Sequence, residues 1–106
     1  MKLITAVINK RDADNVCDAL NEKGYRFTKI TTQGGFLRAK NLTLLIGADD
    51  DNVEEALGII RTHCKERKEP VPIFTDNYQT YVSSVAEVIV GGATVFVTDV
   101  TYFERM

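Results

Sequence analysis

Few residues of this chain are equipped for covalent chemistry, and their spacing leaves that chemistry little to build on. His63 is the only histidine, so no second imidazole completes an acid–base pair or a metal set. It falls at the edge of an apolar helical stripe and reads as a structural residue. Asp49-Asp50-Asp51 sets three carboxylates in a row but lacks the alternating ligand spacing and central glycine of a calcium loop. A helix N-terminus, whose dipole favours anions, accounts for them. Ser83 and Ser84 have neither a base partner nor a nucleophile elbow. Cys17 and Cys64 form no C-x-x-C pair and read as small core residues rather than as a disulfide or a zinc site. No catalytic residue and no metal ligand is assigned.

Non-covalent chemistry has more to work with. Gly34-Gly35-Phe36-Leu37, on a turn between strands, offers backbone N–H groups to an anion beside an aromatic face; a plain hairpin turn with a partly exposed Phe accounts for the same residues. Gly91-Gly92 inside an apolar run means either a bulge or the close approach of another backbone or a ligand. Gly47 ends a strand just before a helix, where N–H groups and the helix dipole favour a phosphate. Neither a P-loop nor a dinucleotide fingerprint is present. Taken together, the donors, the ring and the small residues suit a compact nucleotide better than a polymer.

Composition agrees. Thirteen Lys and Arg against fifteen Asp and Glu give a net charge of -2, without the basic excess of a phosphate-backbone binder, so long nucleic acid is excluded as a partner. No apolar run approaches the ~18 residues of a membrane span, and Leu3 to Ile8 is too short for a signal peptide. A soluble cytoplasmic protein is expected, with residues 1–106 forming one domain.

The elements that must position these residues follow from periodicity. Lys2 to Asn9 is rich in β-branched residues and reads as a central strand, apolar on both faces, with Leu3, Thr5 and Val7 on one and Ile4, Ala6 and Ile8 on the other. Ala13, Val16, Cys17 and Leu20 mark a helix, with Asp12 as its N-cap and Gly24 as its stop. Tyr25 to Gln33 and Leu42 to Ala48 read as antiparallel strands. Val53, Ala56, Leu57, Ile60 and Cys64 mark a second helix, opened by a capping box at Asp51 and Glu54 and carrying Lys65, Arg67 and Lys68 at its end until Pro70 stops it. Glu69 to Ala86 reads as a long loop, and Glu87 to Thr98 as a final strand with Gly91-Gly92 inside it.

The order β-α-β-β-α-β predicts an α+β, ferredoxin-like sandwich with both helices on one face of an antiparallel sheet. The other face, apolar along the first strand, is then bare, and identical subunits are its simplest cover. A homo-oligomer is expected.

The residues that carry these features also resemble a known family. Lys2-Leu3-Ile4, Arg26-Phe27-Thr28-Lys29, Thr32-Gln33-Gly34-Gly35-Phe36-Leu37, Asn41-Leu42-Thr43, Ile46-Gly47 and Gly91-Gly92-Ala93-Thr94-Val95-Phe96-Val97 are similar to the cyclic di-AMP receptor branch of the PII-like signal-transduction proteins. The resemblance spans nearly the whole chain. It implies a homotrimer of ferredoxin-like subunits, ligand sites in the clefts between subunits, no catalytic activity, and no cofactor beyond the ligand, cyclic di-AMP. It further implies that Phe36 and Leu37 pack against an adenine, Asn41 reads the adenine edge and Thr28 bonds the ribose-phosphate. Gly35 and Gly47 would present backbone, while Arg26, Gly91, Gly92 and Phe96 would complete the pocket, partly from an adjacent subunit. The loop from 69 to 86 is the expected signalling segment and the surface for an unidentified protein partner. It departs from the family by being shorter, and Arg105 stands where relatives carry a neutral polar residue.

Alternative readings are a PII-type sensor of ATP or another adenine nucleotide, a small ferredoxin-like enzyme at the same cleft, and a metal-binding trimer resembling divalent-cation tolerance proteins. The segment from Gly34 to Asn41 lacks the length and the tyrosine of the nitrogen-regulatory recognition loop. Acid–base residues are short for the enzyme, and no His or Cys cluster supports the metal trimer.

Overall fold

The computed structural model describes residues 1–31, 41–72 and 85–106. In chain order these form β1 (Lys2–Asn9), α1 (Lys10–Glu22), β2 (Arg26–Ile30), β3 (Asn41–Ala48), a 3-10 turn (Asp50–Asn52), α2 (Val53–His63), β4 (Arg67–Pro72), β5 (Val85–Val90) and β6 (Ala93–Asp99). The strands make an antiparallel four-stranded sheet of order β2-β3-β1-β6 and a separate two-stranded ribbon, β4-β5. With two helices on one face, the larger sheet is the ferredoxin-like sandwich expected.

Alternation along β1 decides which face is covered. Ile4, Ala6 and Ile8, level with Ile46, Leu44 and Leu42 of β3, are buried under Val16 and Leu20 of α1 and Ala56 and Ile60 of α2. Each large aliphatic side chain taken out of water there contributes about 1.5–3 kcal/mol. Leu3, Thr5 and Val7 point the other way and are only half-buried. Cys17 and Cys64 are free, buried thiols within the core, as read from the sequence. Burial pushes the Cys64 thiol up to about 11.

Several boundaries differ from expectation. The N-cap of α1 is Asn9, whose side chain accepts from the Arg11 N–H at 2.9 Å, rather than Asp12. Asp12 lies within the first turn and is buried, because it has a partner elsewhere in the chain. Gly24 does end the helix: at φ 80° it donates to Asn21 O while Tyr25 N–H donates to Leu20 O, both at 3.0 Å, the two bonds of a Schellman cap. The Asp51–Glu54 capping box does not form; Asp50–Asn52 close a 3-10 turn, and no side chain caps α2.

α2 stops at His63, seven residues before Pro70. Cys64 closes it with an N–H bond to Ile60 O, and of the basic residues expected at its end Lys65 lies in the link that follows while Arg67 and Lys68 enter β4. The helix is left there because Arg67 is drawn to the buried Asp12. Pro70, without an N–H, is tolerated because both strands of a two-stranded ribbon are edges. Residues 69–72 and 85–86, expected in a loop, therefore belong to paired strands, while 73–84, with Ser83 and Ser84, lie outside the described residues. The single final strand is in fact two. Gly91 and Gly92, at φ 84° and 79°, cannot continue an extended strand, and they hand the chain from the ribbon to the main sheet.

Candidate ligand site

The face opposite the helices carries most of the described residues singled out from the sequence. Strand register places Arg26, Gly47, Leu3 and Thr98 on one rung across β2-β3-β1-β6, and Thr28, Leu45, Thr5 and Phe96 on the next. Ile30, Thr43, Val7 and Thr94 follow, then Asn41 beside Asn9. Because side chains alternate, one parity puts all of them on the helix-free side.

Arg26, Thr28 and Gly47 meet in one cavity of about 440 Å³, walled by Leu3, Leu45 and Phe103. That size suits a compact ligand, and an apolar wall with a few polar groups suits a base and its phosphate. Lys2 also lines it, but its ammonium is held by Asp99, first through the hydrogen bond and then through charge, which raises its pKa. Among the described residues Arg26 is paired with no carboxylate and is exposed. Its forked guanidinium is the natural partner for a phosphate. Gly47 is informative for a different reason. A Cβ built on it meets no described residue within 4 Å, so no described neighbour requires glycine in this strand.

Asn41, Gly91 and Gly92 meet in a second, polar cavity of about 230 Å³, with Val7, Asn9, Glu66 and Thr94. Gly91 is required by close approach as well as by its backbone: a Cβ there would come within 2.5 Å of Lys65 O and 2.7 Å of Arg67 Nη1. Phe96, 48% exposed, lies on the sheet edge between the two cavities. Gly35, Phe36 and Leu37 lie outside the described residues. Asn41 and Gly47 are six residues apart on one strand, about 20 Å at the usual rise. Phe96 apart, the described residues expected at the site thus fall into two groups, Arg26, Thr28 and Gly47 at one end of the face and Asn41, Gly91 and Gly92 at the other.

Of the described groups weighed for covalent chemistry, Asp49 lines a further cavity of about 280 Å³ together with Arg26 and Gly47. His63 ends α2 on the covered side of the sheet, and Asp50 and Asp51 lie in the 3-10 turn. Among the described residues no three His, Cys, Asp or Glu side chains gather as a metal site, and no helix is long and apolar enough to cross a membrane. A larger apolar cavity of about 550 Å³ opens between α2 and β6, lined by Leu57, Ile60, Val95 and Val97 with Arg61 and Lys65, and contains none of the expected residues.

Sequence reasoning missed one cluster next to the second cavity. The Asp12 carboxylate, 3% exposed, receives the Arg67 guanidinium at 3.0 Å. Arg67 also donates from Nε to Glu69 at 3.1 Å, and Glu69 pairs with Arg11. The hydrogen bond to Asp12, then that to Glu69, raises the Arg67 pKa. The available signal was Asp12 itself, an acid at the i, i+4, i+8 spacing that it shares with the buried Val16 and Leu20. Its partner, 55 residues on, leaves no mark in local sequence.

A ferredoxin-like sandwich hosts many functions, and comparison with known proteins is what makes the class specific. Residues 1–106 match the cyclic-di-AMP receptor family throughout, and the chain belongs to that family. It is 33% identical over 75 residues to nitrogen fixation nifHD region GlnB-like protein 1 of Methanothermococcus thermolithotrophicus, covering 58% of this chain and 71% of that one. A crystal structure of a functionally unknown protein from Pediococcus pentosaceus ATCC 25745 superposes with a TM-score of 0.78 at 35% identity, covering 99% of this chain and 96% of that one.

Proposed function

We propose that this chain is a non-enzymatic, cytoplasmic receptor that binds cyclic di-AMP in clefts between the subunits of a homotrimer and signals by rearranging the segment that includes β4 and β5. The observation that carries the reading is the convergence of Arg26, Thr28 and Gly47 on one cavity of the helix-free face. A cyclic dinucleotide bears two phosphate charges, which one guanidinium and a few N–H donors neutralise without a basic surface, so the net charge of -2 is no obstacle. The distance between the two groups of residues supports the intersubunit cleft. One small ligand cannot span about 20 Å of a single strand, whereas a neighbouring copy brings its own Asn41 and Gly91-Gly92 end to this Arg26 end. Phe36 and Leu37 would supply the stacking platform and Phe96 part of the wall.

Calorimetric titration of the purified protein with cyclic di-AMP, with cyclic di-GMP and ATP as controls, tests this. Saturable binding near one ligand per subunit, selective for cyclic di-AMP and returning the nucleotide unchanged, is the expected result. Absence of binding would reject the receptor reading, and preference for ATP would move the chain to the adenine-nucleotide sensors.

A further inference from the structure

The Asp12–Arg67 pair lies at a junction that the ligand reading does not explain. Arg67 forms the basal rung of the β4-β5 ribbon, level with Val90, so the next residue on the opposite strand is Gly91. Its guanidinium reaches the buried Asp12 of α1 twice, Nη2 to Oδ1 at 3.0 Å and Nη1 to Oδ2 at 3.5 Å, and also donates to Lys65 O at 3.2 Å. The same atoms form the wall against which the Gly91 backbone lies: a Cβ on Gly91 would stand 2.5 Å from Lys65 O, 2.7 Å from Arg67 Nη1 and 3.3 Å from Asp12 Oδ2. Helix, ribbon and glycine turn therefore meet at one ion pair, braced by Glu69 and Arg11.

Only the carboxylate half of this pair is buried, the Arg67 side chain being 38% exposed, and it is the carboxylate that resists displacement. Shifting Arg67 leaves the Asp12 carboxylate desolvated and unmatched, which is strongly unfavourable. The glycine turn cannot move toward Arg67 without collision, and Arg67 cannot move without leaving Asp12. We infer that Asp12 and Arg67 are positioning residues for the ligand site: they fix the path of Gly91-Gly92 and couple its displacement to the base of the β4-β5 ribbon. This rests on the proposed cyclic di-AMP reading and names the contact through which the site communicates with the signalling segment. Neither side chain touches the ligand in this account.

Arg67→Lys keeps the charge but loses the fork, and Asp12→Asn keeps the shape but loses the charge, so both retain much of the packing. Amide exchange at Gly91 and Gly92 in the ligand-free protein should quicken in each variant, while thermal unfolding stays cooperative. Cyclic di-AMP should bind about tenfold more weakly to either, and the double variant should lose little more than the worse single one. In the unmodified protein the ligand should change exchange at 91–92 and along 67–72 together; in Asp12→Asn the change along 67–72 should be lost. Folded variants with unaltered exchange at 91–92 and unaltered affinity overturn the inference, as does full additivity. If Asp12→Asn does not fold, Arg67→Lys and Glu69→Gln carry the same comparison. Should the unmodified protein not bind cyclic di-AMP, the ligand reading fails separately. Exchange at 91–92 then decides the clamp alone, altered rates supporting it and unaltered rates overturning it.

Discussion

Gly47 stands in a strand where a side chain would meet none of the described residues within 4 Å. Glycine there sacrifices strand stability, by roughly 0.5–1 kcal/mol relative to alanine, which the proposed ligand contact would explain. Gly47→Ala should leave the thermal unfolding temperature unchanged or slightly raised while weakening cyclic di-AMP binding; equal affinity would remove Gly47 from the site. Stacking a base on an aromatic ring is worth roughly 1–3 kcal/mol, so Phe36→Ala should weaken binding by about ten- to a hundredfold in calorimetry. Arg26→Ala should weaken it too and flatten its salt dependence, since a guanidinium that meets a phosphate is screened by added ions. Tyr25 ties the start of β2 to α2. Its hydroxyl lies 3.0 Å from Asn52 O and 2.8 Å from Glu55 Oε1, and burial, then the Glu55 bond, pushes its pKa up to about 12. The unfolded chain releases this proton near pH 10 and the folded one does not. The stabilisation is therefore complete below pH 10 and lost as pH climbs toward 12. Tyr25→Phe should cost about 1 kcal/mol at neutral pH and lessen the alkaline loss in denaturant titrations.

Among the elements, the Gly91-Gly92 turn and the ribbon it closes are where conformation and function meet. Two left-handed residues separate β5 from β6, and each directs its strand to a different sheet. A side chain at position 91 is refused twice, by φ 84° and by the Lys65 carbonyl and Arg67 guanidinium. Gly91→Ala should destabilise the fold by at least the roughly 1–2 kcal/mol of a left-handed alanine, and exchange should rise at the base of the ribbon before it rises in β1. Simultaneous loss of protection in both sheets would instead show that the ribbon has no independent stability. The Schellman cap at Gly24 fixes the chain direction into β2 and so fixes which of its side chains reach the helix-free face. That is why Arg26 and Thr28, rather than Phe27 and Lys29, share it.

For the whole molecule, the asymmetry of the four-stranded sheet is the dominant fact. One face is closed by α1 and α2; the other presents Leu3, Val7, Leu45 and Phe96 among threonines. A small protein rarely leaves such a face to water, and copies of the same chain cover it most simply. If the proposed homotrimer forms through this face, Leu45→Glu should dissociate it in sedimentation equilibrium and abolish ligand binding, while α1, α2 and their core survive because Leu45 points away from them. An unmodified protein that sediments as a monomer at micromolar concentration would defeat both the oligomer and the intersubunit cleft.

The sequence by itself determined the elements whose causes are local. Alternation placed β1 at its observed bounds, 3.6-residue stripes placed the bodies of both helices, and Gly24 marked the end of α1, because each depends on neighbours within a few residues. Motif likeness singled out Arg26, Thr28, Asn41, Gly47, Gly91, Gly92 and Phe96 as candidates, but not that Arg26, Thr28 and Gly47 line one cavity while Asn41, Gly91 and Gly92 line another. Tertiary structure alone decided where α2 ends, why Asp12 caps nothing, and how Gly91-Gly92 divides one apolar run into strands of two sheets. The reason is the same in each case. A buried carboxylate on α1 and a guanidinium 55 residues later gain from meeting only once the sheet has brought them together, and that gain overrides the helical tendency of residues 64–69.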